Sequence, residues 1–242
     1  MPSEIIFFDL PSKNGRAWSL NPWKTRFVLN YKSIPYRTQW TEYPDVKPTL
    51  EKLVPPNKPG QIADYTIPAI TLPSGTSLMD SFTIVEHLEA EYPSPPLHLS
   101  DPRLSTITND LWPPIMKALR PVYVPRVGLT LLNPPSAEYF RRTREKAFNC
   151  TLEALRDDPE QGGERAWDKA RPWLQKMAAL YREDGGGPFL RGSEVSYADF
   201  VVLGLLLMFD RLGVLGDLVK TGGEEFQQLW DASAEWRKRD DH

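Results

Sequence analysis

Residues Trp18-Ser19-Leu20-Asn21-Pro22-Trp23-Lys24-Thr25-Arg26 decide how this chain is read. Before them, Ile5-Ile6-Phe7-Phe8-Asp9-Leu10 is an apolar run that predicts a short strand over residues 4–10. After them, Phe27, Val28, Leu29 and Tyr31 predict a helix over about residues 21–32. Asn21 is a favoured N-cap and Pro22 a favoured first helical residue. A helix start of this kind is electropositive and suits an anion, a thiolate included. Ser19 and Asn21 are the polar side chains placed to meet it.

Further along, Tyr36 to Thr41 predicts a second strand, and residues 42–63, rich in Pro, Lys and Asn, predict a loop with a short helix near Pro48–Leu53. Tyr65 to Leu72 is β-rich, and its Pro68 belongs at a strand start or an edge. Pro73-Ser74-Gly75-Thr76 predicts a hairpin turn with Ser77-Leu78-Met79 returning. Asp80-Ser81 then opens a helix that ends at Tyr92-Pro93. The order strand, helix, strand, helix, hairpin, helix predicts an α/β thioredoxin-like domain over residues 1–93. Residues 94–101 are a linker, and residues 102–242 an all-α helical domain. Its helices are expected at 102–120, 135–157, 163–183, 196–212 and 223–239. Arg120 to Leu132 stays open, because Val122-Tyr123-Val124-Pro125 could break a helix. Ser196-Tyr197-Ala198-Asp199 is a capping signature ahead of a helix apolar on every side, which predicts a buried central helix.

The composition narrows the function classes. A formal net charge of −3 does not suit a nucleic-acid binder. The longest apolar run, Phe200 to Phe209, falls short of the ~20 residues a membrane span needs. A lone Cys150 excludes an intramolecular disulfide, and with no signal-peptide pattern the expected compartment is the cytoplasm. His87, His98 and His242 have no ligand spacing among themselves or with Cys150, so no metal is expected. The arginines around Arg141-Arg142 read as a solvated helix face.

A thioredoxin-like domain, a linker and a helical domain resemble the glutathione transferases. The likeness rests on Ser19, Asn21 and Trp23, on Ile67-Pro68 with Asp80-Ser81, and on Phe189-Leu190-Arg191-Gly192 with Ser196 and Asp199. Within that superfamily the chain resembles the serine-type enzymes. Trp18-Ser19 followed by Trp23-Lys24-Thr25 is similar to the bacterial β-etherases of lignin breakdown and to the fungal class called FuA.

The resemblance implies glutathione as co-substrate. Its sulfur would be held by Ser19 or by Asn21, a choice the sequence leaves open. Trp23, Ile67 and Pro68 would hold the tripeptide, with Pro68 in the cis form. Asp80 and Ser81 would take the γ-glutamyl end, and Trp40, Lys58 or Gln61 the glycyl carboxylate. Trp112, Pro113, Pro114, Met116, Tyr123 and Pro125 would wall an aromatic substrate site. The implied activity is attack of the thiolate on an aromatic electrophile or aryl ether, in a homodimer with a detoxifying role. With no cysteine in the Ser19 stretch, thiol–disulfide exchange is not expected. The alternatives are a weakly catalytic, ligandin-type carrier of polyphenolic compounds and a regulatory protein of the same fold.

Overall fold

In the computed structural model, which describes residues 4–61 and 63–241, four strands form one sheet in the order β2-β1-β3-β4. Strand β1 (Ile5–Asp9) leads through helix α1 (Leu20–Tyr31) to β2 (Tyr36–Trp40), which pairs parallel to it with Ile5 opposite Tyr36. A single turn at Tyr43–Asp45 and helix α2 (Val46–Leu50) follow. Strands β3 (Ala69–Thr71) and β4 (Ser77–Met79) form the hairpin, with β3 antiparallel to β1, and helix α3 (Ser81–Glu91) closes the sheet region. The β-rich run before Pro68 does not join the ladder. Ile67-Pro68 is cis, Thr66 N–H meets Met79 Sδ at 3.2 Å, and the segment is left as an irregular wall.

One ion pair sits inside this layer. Arg26 Nη2 reaches Asp9 Oδ2 at 2.8 Å, with both side chains fully buried. The same guanidinium bonds Tyr36 Oη and Thr38 Oγ1, so it ties α1 to β1 and β2. Burial raises the Asp9 carboxyl while Arg26 opposes the rise.

The rest is helical: α4 (Pro102–Ser105), α5 (Trp112–Ala118), α6 (Arg120–Arg126), α7 (Pro134–Phe148), α8 (Leu152–Arg156), α9 (Gly163–Ala179), α10 (Tyr197–Arg211), α11 (Leu215–Gly222) and α12 (Glu225–Ala232). Pro125 does not break the chain as the sequence allowed. The helix continues past it into a wide turn, Val127–Leu131, where the Arg126 and Thr130 side chains bond the carbonyls of Val122 and Arg126. The segment expected at 135–157 divides at Asn149, which is left-handed, and Thr151 caps α8. The sequence pattern missed α11, whose two turns lie between glycines. His242 lies outside the described residues.

Helix α10 is buried from Tyr197 to Phe209. It lies along α1, with the Phe27 and Phe200 rings stacked at 5.5 Å. At Gly204 the backbones come so close that an added Cβ would stand 2.7 Å from the Leu20 carbonyl oxygen.

Candidate active site

Helix α1 begins earlier than the Asn-Pro pair suggests. Its N-cap is Ser19, in extended geometry, and Leu20, Asn21 and Pro22 form the first turn. An N-cap serine normally accepts from the N–H two or three residues on. The third residue here is Pro22, which has no N–H, and the Ser19 hydroxyl makes no capping hydrogen bond.

Both domains hold the loop that delivers Ser19. Ser12 Oγ donates to Arg16 O at 2.7 Å, and Trp18 Nε1 donates to Pro11 O at 3.2 Å. Ala17 N–H donates to Asp240 O at 2.7 Å, and Arg211 Nε donates to Ala17 O at 3.1 Å. The Asp240 carboxylate in turn receives Arg16 and Arg211.

Asn21 lies in the first turn, where its Oδ1 accepts from Lys24 Nζ at 2.9 Å. A lysine ammonium only donates. This bond therefore fixes the amide oxygen toward Lys24 and leaves the Asn21 NH2 free to donate elsewhere. Lys24 also lies over the Trp112 ring at 4.9 Å. Burial pushes its amine down to about 8, with the Asp80 charge opposing.

Ser19, Asn21 and Ile67 line a common cavity of about 200 Å³, together with Tyr43, Tyr65, Thr66, Tyr139 and Arg144. That is below the ~300–1,000 Å³ of a typical ligand pocket and above the ~150 Å³ that admits benzene. The cavity has room for a sulfur and one aromatic ring, so most of a tripeptide would lie in the open groove outside it.

The other expected residues fall elsewhere. Trp23 is fully buried, 4.8 Å from the Phe27 ring and beside Arg26. It is a core residue on the inner face of α1, which corrects its placing in the binding set. Trp40 ends β2 with its ring facing Arg26, 5.6 Å from the guanidinium carbon. Lys58 and Gln61 share an exposed turn outside the cavity wall. Pro68 is buried at the head of β3. Asp80 caps its own helix, its Oδ1 accepting from Phe82 N at 2.9 Å and Thr83 N at 3.0 Å. Ser81 lines a second cleft of about 510 Å³ with Lys24, Phe82, Leu104, Asn109 and Tyr197. Among the described residues no cluster of three His, Cys, Asp or Glu side chains could hold a metal ion.

The expected aromatic wall is also displaced. Trp112 packs under Lys24, and Tyr123 lies 6.5 Å from the Phe209 ring. Neither lines the Ser19 cavity. The wall comes from α7 and the turn beneath it, with the Tyr43 and Tyr139 rings parallel within 5° and 6.1 Å apart. Glu42 anchors this pairing by accepting from Asn133 Nδ2 at 2.8 Å and from the Ser136 hydroxyl, while Ser136 Oγ accepts from Tyr43 N–H at 2.8 Å. Burial pushes the Tyr43 phenol up to about 12. Only the polar pair Asn133 and Ser136 at the start of α7 hinted at this docking in the sequence.

Two family models match the chain: a glutathione S-transferase N-terminal domain over residues 18–91 and a glutathione S-transferase C-terminal domain over residues 105–236. A glutathione S-transferase-like protein of Aspergillus flavus, ustS, is 34% identical across 97% of this chain and 91% of its own length. Among solved structures, the glutathione transferase GSTFuA2 from Phanerochaete chrysosporium is 30% identical, covering 98% of this chain and 99% of that one, with a TM-score of 0.85. The glutathione S-transferase CsGST63524 of Ceriporiopsis subvermispora, solved in complex with glutathione, is also 30% identical, covering 96% and 98%, with a TM-score of 0.81. With the thioredoxin-like sheet, the helical second domain and a serine at the start of α1, these matches identify the chain as a member of the glutathione S-transferase family.

Proposed function

We propose that the chain is an enzyme that holds the glutathione sulfur as a thiolate in the Ser19 cavity and directs it at an aromatic electrophile or an aryl ether. The observation that carries this reading is the Ser19 hydroxyl, an N-cap group that makes no capping hydrogen bond and lines the cavity. A hydroxyl donating to the sulfur favours the charged form and lowers its pKa. The oriented Asn21 amide supplies a second donor, and the helix start supplies partial positive charge. Ile67 and Pro68 would flank the cysteinyl part, with Asp80 and Ser81 toward the γ-glutamyl end. In the reaction a C–S bond forms at the ring carbon as the C–O or C–halogen bond breaks, and the leaving group departs with the electron pair. Holding both reactants in one cavity supplies the rest of the rate. This reading places the protein in the cytoplasm as a homodimer that clears aromatic compounds.

The second cleft favours a further reading, in which aromatic ligands are carried with little turnover. Phe82 there is 42% exposed beside Leu104 and Tyr197. One titration separates the two. Glutathione is added at neutral pH to wild type and Ser19→Ala, and thiolate absorbance is followed. A saturable signal lost in the variant supports the enzyme. Saturable binding with no thiolate in either protein favours the carrier, and no binding sinks the enzyme reading.

A further inference from the structure

The Ser19 cavity has a charged end, and it is cationic. Among the described residues that line it, Arg144 is the charged side chain and none is a carboxylate. Its helix neighbour Arg141 is paired, at 2.8 Å to both Glu145 and Glu153. Arg142 lies over the Tyr139 ring at 5.7 Å. By contrast, Arg144 makes one long hydrogen bond, Nη1 to Thr143 Oγ1 at 3.3 Å, and rests on the Phe140 ring at 4.8 Å. Glu42, an acid on the adjoining segment, is engaged by Asn133 and Ser136. Among the described residues Arg144 therefore forms no ion pair. Its guanidinium is held by an aromatic face, with donors left over. A planar guanidinium recognises a carboxylate through two parallel hydrogen bonds.

A cavity of about 200 Å³ takes one ring beside the sulfur. Tyr43 and Tyr139, stacked on each other, supply aromatic lining beside it. We propose that Arg144 selects the electrophile by charge, and that the substrate class is an aromatic ring carrying a carboxylate across from its leaving group. The proposal rests on the thiolate reading of Ser19, which supplies the nucleophile. The thiolate attacks the ring carbon bearing the leaving group, the new bond is C–S, and the leaving group takes the electron pair. No oxidant or further co-reactant is consumed.

The test uses two electrophiles that differ by one carboxylate, 4-chloro-3,5-dinitrobenzoate and 1-chloro-2,6-dinitrobenzene, with wild type, Arg144→Gln and Arg144→Lys. The expected result is a fall in kcat/KM for the benzoate of about 10–100-fold in Arg144→Gln, the range for a lost charged hydrogen-bond pair. The fall for the neutral compound is expected to be at least tenfold smaller, and Arg144→Lys should recover part of the loss. Equal falls for both compounds would overturn the proposal. So would a rise in the KM for glutathione with the benzoate preference intact, since Arg144 would then hold the tripeptide. A wild type that forms the thiolate but shows neither turnover nor a carboxylate effect overturns this inference alone. A wild type that forms no thiolate overturns the reading beneath it as well.

Discussion

Two helices of this protein begin with a serine, and the two serines are spent differently. At α10, Ser196 is buried and its third helical residue is Asp199. That carboxylate accepts from Ser196 N–H at 2.8 Å, Ser196 Oγ at 2.7 Å and Leu190 N–H at 2.9 Å. At α1, Ser19 is half-buried and its third helical residue is Pro22, which offers neither an N–H nor a carboxylate. The start of α10 carries its own anion, whereas the start of α1 faces a cavity with its hydroxyl uncommitted. A helix cap satisfied from within is structure. One that leaves its hydroxyl unbonded is available for chemistry.

The largest effect should come from breaking the satisfied start. Asp199→Ala leaves three buried donors without their acceptor and should lower the unfolding free energy by about 4 kcal/mol, read from denaturant titration. A loss under about 1 kcal/mol would mean that the box contributes little.

Ser19→Ala should show the opposite pattern. The thiolate signal and kcat/KM should fall roughly 100-fold, as for one removed oxyanion donor. The unfolding free energy should stay within about 0.5 kcal/mol, because no internal hydrogen bond is lost. A stability loss as large as that of Asp199→Ala would erase the distinction.

Acidity separates the two starts a third way. Burial raises the Asp199 carboxyl from 3.8 to about 6, against the hydrogen bonds that would lower it. The folded chain thus holds a proton that the unfolded chain has released between those values. The stabilisation is full below about pH 4 and lost as pH rises through about 6. One pKa unit is 1.36 kcal/mol, so the term is of the order of 3 kcal/mol. The stability of wild type relative to Asp199→Asn should fall by that order between pH 4 and pH 7, and a flat difference would refute it.

The smallest effect is the most specific. Pro22→Ala restores an N–H three residues after Ser19 and lets the hydroxyl cap its own helix. Activity should fall roughly fivefold while stability holds or rises by up to ~1 kcal/mol, and adding Ser19→Ala should remove the stability gain. If activity is unchanged, Pro22 is not what keeps the hydroxyl available.

Much of this was legible in the sequence. Residues 4–10, 36–41 and 77–79 alternate or cluster as strands do, the run 65–72 is strand only from Ala69, and the Asp80 and Ser196 caps sit where their side chains predict. The start of α1 misled because Asn21-Pro22 looks like a cap and first residue, whereas Ser19 already has extended cap geometry. The cavity wall was barely legible, with only Asn133 and Ser136 hinting at it. Tyr139 and Arg144 belong to an arginine-rich helix that reads as solvated, and the contacts of Glu42 and Tyr43 bring it over Ser19. Trp23 misled in the other direction, since a residue close to the motif in sequence points into the core.

The close approach at Gly204 bears on how this architecture can be recombined. The position of Ser19 is gauged by a helix of the other domain, across a gap with no allowance for one methyl group. A chimera that joins this thioredoxin-like half to the helical half of a relative would keep every residue of the sulfur site. Its reactivity would still depend on whether the borrowed half carries a glycine at the place where α10 crosses Leu20. The two halves thus have to be exchanged as a matched pair, even though the groups proposed to touch the sulfur all come from the first.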